Sequence, residues 1–547
     1  MKPTPSPSAE EYDVLVVGAG PSGAIVSHTV ASAGLKVACL EQGDWTSPSD
    51  YPANFDMWEV VARAHWQTEP NLRKNPADYP MELSETDLPP SMYSAVGGST
   101  IHFGALWPRL TASDFRVRTL DGVSDDWPIT YQDLAPYYDR VDNFIGVSGL
   151  EGDTAYPDGL APPLPPHPLG KTGLKTAEAL NELGWHWWPG ANAIPTQKHG
   201  SLAACARWGT CVQGCPEGAK ASFDLAYWPA AIAAGAKLIT GARVYEITTD
   251  GDGAVTGVNW IGKDGRQHTR AKYVVMCANG IGTARLLLLS RSEKHPSGLA
   301  NSSGLVGKNL MLHPNCCAMG YYDEDLETWR GPLGAVISSM EFYETDKSRG
   351  FVRGSKMHAS TAPGIILNGI DPHRSLPFDQ LWGESFHQVI RDACNTILWA
   401  ANIEDLPEET NRVTIDPHLT DGDGIPAPKI EYRFSENTLR IRDFTLDRMV
   451  EAHKAAGAKK VIAIAEMPGE PGHLLGTARM GADPKSSVVD PDGRAHDVRN
   501  LLIADGSIFV TSGSANPTST ICALALKIAE NLVNVVKSEG YADVRAN

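Results

Sequence analysis

The segment YDVLVVGAGPSGAIVSHTVASAGLKVACLE, residues 12–41, decides the fold of this chain. Its first six residues form an apolar run that ends in glycine, as buried parallel strands do. IVSHTVASAG follows with helical spacing, and LKVACLE has the pattern of a second strand. The segment therefore predicts a βαβ unit of about 30 residues.

Three glycines between the first strand and the helix indicate a phosphate site. Gly18, Gly20 and Gly23 form the pattern G-x-G-x-x-G. The first permits a tight turn, the second lets backbone approach a pyrophosphate, and the third lets the helix pack on the strand. Glu41 ends the second strand, where a carboxylate accepts a hydrogen bond from a ribose hydroxyl. The alternative is a glycine-rich turn without a ligand, but the complete order of elements favours a dinucleotide.

The rest of the chain contains no second full fingerprint. CANGIGTAR, residues 277–285, has Gly280 and Gly282 after a strand-like run but lacks the third glycine. It fits better as a later part of the same domain. One dinucleotide site without a nicotinamide site predicts a cofactor that stays bound, and hence a flavin.

Length and charge limit the classes of protein that the chain can represent. A chain of 547 residues is too long for one simple core, so we expect two domains or one large composite. The net charge of −18 makes nucleic acid a poor partner. No apolar run approaches the roughly 18 residues of a membrane span. The N-terminus lacks the apolar core of a secretory signal, which predicts a short disordered lead and a cytoplasmic location.

Four segments resemble the glucose–methanol–choline (GMC) family of flavin oxidoreductases. They are residues 12–43, AVGGSTIHFGALWPR at 95–109, HLLGTARMG at 473–481, and NLLIADGSIFVTSGSANPTSTICALALKIAENL at 500–532. GKNLMLHP at 307–314 also fits. The resemblance implies an α/β FAD-binding Rossmann-like domain with a second α+β substrate domain built on an antiparallel sheet. The FAD-binding domain would comprise residues 10–110, 235–315 and 468–540, and the substrate domain residues 111–234 and 316–467 with an irregular wrap.

The resemblance also implies the residues that hold FAD. Those expected at the cofactor, besides the first glycines and Glu41, are Val244 at the adenine, Gly97 and Gly98 beside the flavin, Asp505 and Gly506 at the ribityl and pyrophosphate region, and Pro517 and Thr518 near the ring. His102 matches the position that some members bond covalently to the flavin. Other members hold FAD without that bond, so covalency stays open, and a buried loop histidine is the alternative for His102.

His473 and Asn516 are the predicted catalytic residues. Alcohol oxidation needs a base for the hydroxyl proton while the carbinol hydrogen leaves as hydride to flavin N5, and histidine suits this task near neutral pH. His473 matches the family's catalytic histidine in HLLGTARMG. Asn516 matches a second position that carries His or Asn, where it would fix the substrate oxygen by hydrogen bonds. The alternatives are a core histidine and a turn residue before Pro517. For His313, before Pro314, we expect only a structural role.

The stretch CARWGTCVQGCPEGAK, residues 205–220, places Cys205, Cys211 and Cys215 close together. The spacing matches three of the four cysteines in a bacterial ferredoxin run. It resembles the catalytic subunit of FAD-dependent glucose dehydrogenases, in which three thiolates would hold a three-iron cluster. Related oxidases look similar here without an established cluster, and we favour no cluster and no metal. Zinc with His199 as fourth ligand fits no common module, and a disulfide is a further alternative.

The predicted function is FAD-dependent oxidation of a secondary hydroxyl of a pyranose sugar or glycoside. The resemblance of GCPEGAKASFDLAYWPAA to glycoside 3-oxidases favours carbon C3, with electrons passing to O2 or another acceptor. One alternative is a sugar dehydrogenase subunit that passes electrons through the three-iron cluster to a partner protein. Another is a flavin-binding protein without turnover. The aromatic run Trp185, His186, Trp187 and Trp188 could stack on a sugar, although core packing is the favoured interpretation.

Overall fold

The computed structural model describes residues 6–59, 78–157, 161–334, 336–362, 364, 382–466 and 472–546. The strands are β1 Ser6–Val17, β2 Val37–Leu40, β3 Glu82–Thr86, β4 Trp188–Pro189, β5 Lys237–Ile239, β6 Arg243–Thr249, β7 Val255–Gly262, β8 Gly265–Met276, β9 Asn315–Tyr321, β10 Ile337–Ser339, β11 Ser355–Ser360, β12 Thr396–Ile403, β13 Arg412–Thr420, β14 Pro426–Tyr432, β15 Lys460–Ile464 and β16 Leu501–Ile503. The helices are α1 Pro21–Ser32, α2 Val117–Asp121, α3 Tyr131–Ile145, α4 Gly170–Leu183, α5 Phe223–Ala226, α6 Trp228–Ala233, α7 Asn279–Leu289, α8 Gly383–Asp392, α9 Glu436–Ala455 and α10 Thr518–Ala546.

The first sheet is built around the glycine-bearing segment. Its strand order is β5-β2-β1-β8-β7-β6, and β16 also pairs with β8. β1 runs parallel to both β2 and β8, while β6, β7 and β8 are antiparallel. The apolar run Val14–Val17 is buried, as the inner strand of a covered parallel sheet requires. The predicted βαβ unit is therefore confirmed, because α1 connects β1 to its parallel neighbour β2.

The second sheet is wholly antiparallel and has the order β15-β9-β12-β11-β10-β4. One face packs on an apolar cluster that includes Met357, Trp399 and Ala401, and α9 crosses this face. Side chains alternate between the faces of a strand, so the opposite face is free to present polar groups. This antiparallel sheet confirms the predicted architecture of a Rossmann-like domain joined to a second domain.

A third sheet connects distant parts of the chain. Its order is β13-β14-β3, and β3 pairs in parallel with β14. The predicted boundaries assign β3 to the FAD-binding domain and β14 to the substrate domain, so this sheet crosses the predicted division. The division itself stays a prediction.

Three elements differ from the expectations drawn from the sequence. β1 begins at Ser6, so part of the predicted disordered lead extends a strand and pairs with β8. The sequence of residues 316–470 predicts short strands that alternate with loops, but this region also contains the 20-residue helix α9. Within α10, Thr518–Glu539 is long and apolar enough to cross a membrane by length and composition, contrary to our expectation of no such run. The most apolar 18 residues of this segment are 67% buried inside the protein, as in a core helix. Helix α10 packs on α1 and α3.

Candidate active site

The first glycine loop forms an open cradle at the start of α1. Gly18 has a φ of +102°, and a Cβ there would collide with the Cys277 carbonyl oxygen. A Cβ on Gly23 would collide with the Gly18 carbonyl. A Cβ on Gly20, by contrast, would meet no atom within 4 Å, and no side chain caps the helix at this residue. The helix N-terminus therefore faces open space, and this arrangement fits a pyrophosphate.

Glu41 is fixed at the carboxyl end of β2. Its Oε2 accepts a hydrogen bond of 2.8 Å from Ala19 N, and its Oε1 accepts one of 2.8 Å from Gly43 N. Ala242 N donates to the Glu41 carbonyl at 2.8 Å, which brings the start of β6, where Val244 lies, to this end of the sheet. A buried carboxylate next to the open cradle fits the ribose of FAD, and the contact of the Val244 strand with the adenine stays a prediction.

The second glycine loop rests on the first. Gly97 N donates to the Ala19 carbonyl at 2.9 Å, and a Cβ on Gly98 would lie 3.0 Å from Gly20 Cα. Gly97 and Gly98 both have positive φ values, +92° and +57°, which favour glycine. The two loops that the sequence assigns to FAD are therefore in contact, although their predicted roles at the flavin remain predictions.

His102 follows this loop and is held as a neutral imidazole. Its ring lies 4.4 Å from the Tyr93 ring, edge to face. Burial lowers the pKa of His102 to about 3, and the positive charge of Lys220 contributes in the same direction. Lys220 Nζ donates to the carbonyl oxygens of Ile101 at 2.6 Å and Cys211 at 2.8 Å. The cysteine segment thus braces the loop that carries His102.

The three cysteines of this segment form a packed turn. Cys205 Sγ accepts a hydrogen bond from Arg207 N at 3.4 Å, and Cys215 Sγ accepts one from Ala219 N at 3.3 Å. Burial raises the pKa of Cys205 to about 12, and burial also raises that of Cys211, so both thiols stay protonated at neutral pH. All nine cysteines are free thiols, and the disulfide alternative is therefore wrong.

The described residues contain no group of three or more His, Cys, Asp or Glu side chains arranged to hold a metal. His199, the fourth ligand in the zinc alternative, instead uses its Nε2 to contact the Asn143 carbonyl at 2.7 Å. The three-iron alternative therefore depends on the spacing of the cysteines in the sequence, and not on a cluster of ligands among the described residues.

A pair of histidines joins two distant segments of the chain. His313 Nδ1 is 3.0 Å from His473 Nδ1, and His313 Nε2 bonds the Gly513 carbonyl. Burial lowers the pKa of His313 to about 4. Burial, with the charges of His313 and Lys356 in addition, lowers the pKa of His473 well below its ordinary value. Both rings are therefore neutral near pH 7, and His473 meets the first requirement for a base.

The segment of Asn516 is packed against the segment of His473. Gly476 N donates to the Gly506 carbonyl at 3.1 Å, and a Cβ on Gly506 would lie 2.9 Å from the Leu474 carbonyl. Asn516 comes three residues after Gly513, and its Oδ1 is buried without a hydrogen-bond partner in the described part of the chain. Such an amide oxygen is available to a bound substrate or cofactor.

The remaining predicted cofactor residues lie next to the segments that carry His473 and Asn516. Asp505 is buried, and its carboxylate accepts hydrogen bonds of 2.6 Å from Thr283 Oγ1 and from Ser507 Oγ. Pro517 and Thr518 follow Asn516 at the start of α10. The structure therefore collects the predicted residues around one region, while their individual roles stay predictions.

Sequence reasoning missed a buried ionic network behind the histidine pair. Glu404 Oε1 accepts a hydrogen bond from Gly513 N at 3.1 Å, and Arg353 forms ion pairs with Asp114 and Glu404. Burial raises the pKa of Glu404 to about 7. Only His313, in GKNLMLHP, could have been singled out from the sequence, because the other members of this network lie far apart along the chain.

The aromatic run near residue 186 is mostly structural. Trp185 stacks edge to face on Phe342 at 4.9 Å, and Trp185 and Trp187 both pack against the core cluster of the second sheet. Trp188 Nε1 donates to the Leu150 carbonyl at 2.9 Å. These contacts support core packing over sugar stacking for Trp185 and Trp187.

A Rossmann-type glycine cradle, an antiparallel sheet and a pair of buried neutral histidines are together typical of a flavin-dependent oxidoreductase. The chain belongs to the GMC oxidoreductase family. Models of this family match residues 90–315 and 407–525, and a model of an FAD binding domain matches residues 11–51. The protein is accordingly an FAD-dependent enzyme that acts on CH–OH groups of alcohol- or sugar-type substrates, as we expected.

Relatives with named activities match nearly the whole length of this chain. The sequence is 41% identical over 534 residues to 2-methyl-1,2-propanediol dehydrogenase of Mycolicibacterium austroafricanum, covering 96% of this chain and 95% of the relative. It is 29% identical to the fructose dehydrogenase large subunit of Gluconobacter japonicus, covering 96% and 98%. It is 30% identical to paromamine 6'-oxidase of Streptomyces fradiae, covering 97% and 93%.

Solved structures support the fold. Formate oxidase superimposes with a TM-score of 0.64 at 14% identity, covering 98% of this chain and 100% of that one. Pyridoxine 4-oxidase from Mesorbium loti superimposes with a TM-score of 0.62 at 18% identity, covering 95% and 99%. At this identity the likeness concerns the fold alone.

Proposed function

We propose that the enzyme oxidises a secondary hydroxyl of a pyranose sugar or glycoside to the ketone, at C3 of the ring. The observation that carries the proposal is the contact between His473 and His313, which leaves His473 Nε2 as a base. Relatives named for fructose and paromamine support a sugar-type substrate. The choice of C3 depends on the resemblance of the cysteine segment to glycoside 3-oxidases.

In this mechanism, residues of the chain accept the hydroxyl proton and orient the substrate. Bound FAD supplies the hydride acceptor, its N5 atom. His473 Nε2 accepts the proton of the reacting hydroxyl, since both ring protons of the pair are directed elsewhere. The Asn516 side chain donates an Nδ2–H hydrogen bond to the same oxygen, which restricts the substrate to one orientation.

A vicinal diol is the second candidate substrate. The 41% identity to a dehydrogenase named for 2-methyl-1,2-propanediol favours it. A small diol and a pyranose both present adjacent hydroxyl groups, so the same pair of residues serves both reactions. The two candidate substrates differ in size, so the proposed functions differ in how large a substrate the second domain accommodates.

The identity of the electron acceptor is a separate proposal. Electrons leave either to O2 or to a partner, and the likeness to a protein named as a large subunit favours a partner protein. The absorbance spectrum of the purified enzyme tests the three-iron relay within this proposal. Flavin bands alone exclude the relay, whereas a broad brown shoulder with iron by elemental analysis supports it.

The test of the proposed function is anaerobic bleaching of the flavin by a panel of alcohols. Glucose, two aryl glycosides, 1,2-propanediol and 2-methyl-1,2-propanediol are mixed with the enzyme, and product is analysed by NMR. A 3-keto sugar supports the first candidate, and a hydroxyketone or hydroxyaldehyde from a diol supports the second. A flavin that none of these compounds reduces contradicts both. Peroxide formation in air then distinguishes an oxidase from a dehydrogenase.

A further inference from the structure

One face of the antiparallel sheet carries a row of polar side chains. Lys356 on β11 pairs with Asn402 on β12, and Asn402 pairs with Asn315 on β9. His358 lies two residues beyond Lys356, so it projects from the same face. Met357, between them, belongs to the apolar core on the opposite face. The row is therefore a continuous polar surface across three strands.

These side chains are buried and lack partners. Lys356 is 1% exposed, Asn402 3% and His358 8%. Within the described residues, Lys356 Nζ, Asn402 Nδ2 and His358 Nδ1 have no hydrogen-bond partner, and neither has Asn315 Oδ1. Buried polar groups in folded proteins are nearly always paired. Four unpaired atoms on one face therefore indicate a site where a bound molecule, either water or part of a substrate, supplies the missing partners.

The row borders the histidine pair. His313 lies two residues before Asn315, the first residue of β9, and Ile403 N at the end of β12 donates to the Pro314 carbonyl at 3.2 Å. The charge of Lys356 acts on both rings, since it helps to lower the pKa of His313 and of His473. A substrate whose hydroxyl reaches His473 therefore meets this face of the sheet.

We propose that Lys356, Asn402 and His358 form a subsite that binds oxygen atoms of the substrate next to the reacting hydroxyl and rejects a cationic amino group there. This inference rests on the proposed oxidation of an alcohol. Lys356 Nζ and Asn402 Nδ2 are N–H donors, which match the lone pairs of hydroxyl or carboxylate oxygens, and neutral His358 Nδ1 donates in the tautomer that carries its proton there. An ammonium group has no lone pair to offer and is repelled by Lys356.

The first experiment measures selectivity. Anaerobic flavin reduction is compared for matched pairs, 1,2-propanediol against 1-amino-2-propanol and glucose against glucosamine. We expect the wild type to prefer the hydroxy member by about 100-fold or more in kcat/KM. Lys356→Met reduces the preference to about 10-fold or less, while Lys198→Met, the same change at an exposed lysine, leaves it unchanged. The preference is a ratio of two kcat/KM values measured on the same variant, so a general loss of activity does not change it.

A second variant guards against failure of Lys356→Met to fold. Asn402→Asp places a carboxylate beside Lys356 and is expected to shift the preference toward the amino member. A preference that neither variant alters overturns the proposal, as does a wild type that does not discriminate between the two members.

The second experiment does not require turnover, so it separates this inference from the proposed function. Acetate, a carboxylate probe, is titrated into the oxidised holoenzyme by calorimetry. We expect saturable binding to the wild type and to Lys198→Met, and binding about 10-fold weaker to Lys356→Met. If no alcohol bleaches the flavin but acetate shows this pattern, the proposed function fails and the subsite stands. Acetate binding that is absent from the wild type, or equal in Lys356→Met, overturns the subsite.

Discussion

His313 Nδ1 lies 3.0 Å from His473 Nδ1, and this contact determines where the ring protons reside. The Gly513 carbonyl can only accept, so His313 Nε2 carries a proton and donates it. Neutral His313 then has a lone pair at Nδ1, which accepts from His473 Nδ1–H. The second nitrogen of His473, Nε2, is left with its lone pair. The contact of His313 with Gly513 and that of His473 with His313 thus leave Nε2 of His473 to accept a proton.

Replacing His473 tests its role as the base. We expect His473→Ala to slow flavin reduction by the best substrate about 100-fold or more, because the variant loses the proposed acceptor of the hydroxyl proton. FAD should remain bound, as no residue of the glycine cradle changes. Stopped-flow reduction under anaerobic conditions and the flavin-to-protein ratio give the two readouts. A variant that reduces its flavin at the normal rate would remove His473 from the mechanism.

Replacing His313 tests the proton arrangement. His313→Ala removes the acceptor for His473 Nδ1–H, so we expect reduction about 100-fold slower through loss of ring orientation. His313→Gln retains an acceptor oxygen and should recover part of the rate. The comparison of kcat for the two variants is the measurement. Equal rates for Ala and Gln would show that the hydrogen bond to His473 does not matter.

The dependence of kcat/KM on pH tests the electrostatics of the pair. The pKa of His473 is lowered by burial and by its neighbours, so the base stays unprotonated and activity persists below pH 6.5, the ordinary imidazole value. Lys356, whose own pKa burial lowers to about 7, is positively charged across this acidic limb. Lys356→Met removes a charge that opposes protonation, so the limb should move to higher pH. His313 and His358 also face this lysine, and both remain in the variant. A limb that does not move, or moves to lower pH, contradicts this assignment.

Two glycines with similar backbone but different surroundings test the cradle. Gly18 and Gly34 have φ values of +102° and +81°, so alanine at either position adds backbone strain of about 1–2 kcal/mol. Only at Gly18 would the new Cβ collide with a carbonyl, that of Cys277, whereas none lies near Gly34. We expect Gly18→Ala to lose most of its FAD and Gly34→Ala to retain it, as measured by the flavin-to-protein ratio. Equal FAD content in the two variants would place the cofactor elsewhere.

The buried carboxyl of Asp405 tests the link between ionisation and stability. Burial raises its pKa to about 7, although Leu312 N and Tyr432 Oη donate to its Oδ2 at 2.8 Å. A raised pKa means that stability is full below the unfolded value, about 4, and is lost as pH rises through 7. Asp405→Asn keeps an acceptor oxygen without ionising, so its Tm should gain on the wild type between pH 5 and pH 8. Exposed Asp264→Asn is the control. A Tm difference that is the same at both pH values contradicts the shift.

The sequence predicts those parts of the site whose chemistry is local. Gly18, Gly20 and Gly23 act within one turn, and Glu41 ends the adjacent strand, so spacing alone indicates the cradle. His473 and Asn516 depend on resemblance, because neither has a local pattern that distinguishes a base from a core residue. These two could be named from the sequence, but their surroundings could not.

The rest required tertiary structure. Lys356 reads as an ordinary strand lysine, and only the register of β11 with β12 shows that it is buried beside Asn402. The contact of His313 with His473 spans 160 positions, and no periodicity links residues so far apart. Helix α9 was missed because its buried positions are few and its charged residues many.

The order in which the sheet is assembled has a consequence for biosynthesis. β16, which pairs with β8, lies at Leu501–Ile503, and α10, which covers α1, begins after it. A ribosome must therefore release nearly the entire polypeptide before the nucleotide fold can close. Until then the nascent chain exposes the unpaired edge of β8, so we expect truncated products to aggregate instead of accumulating as half-built flavoprotein.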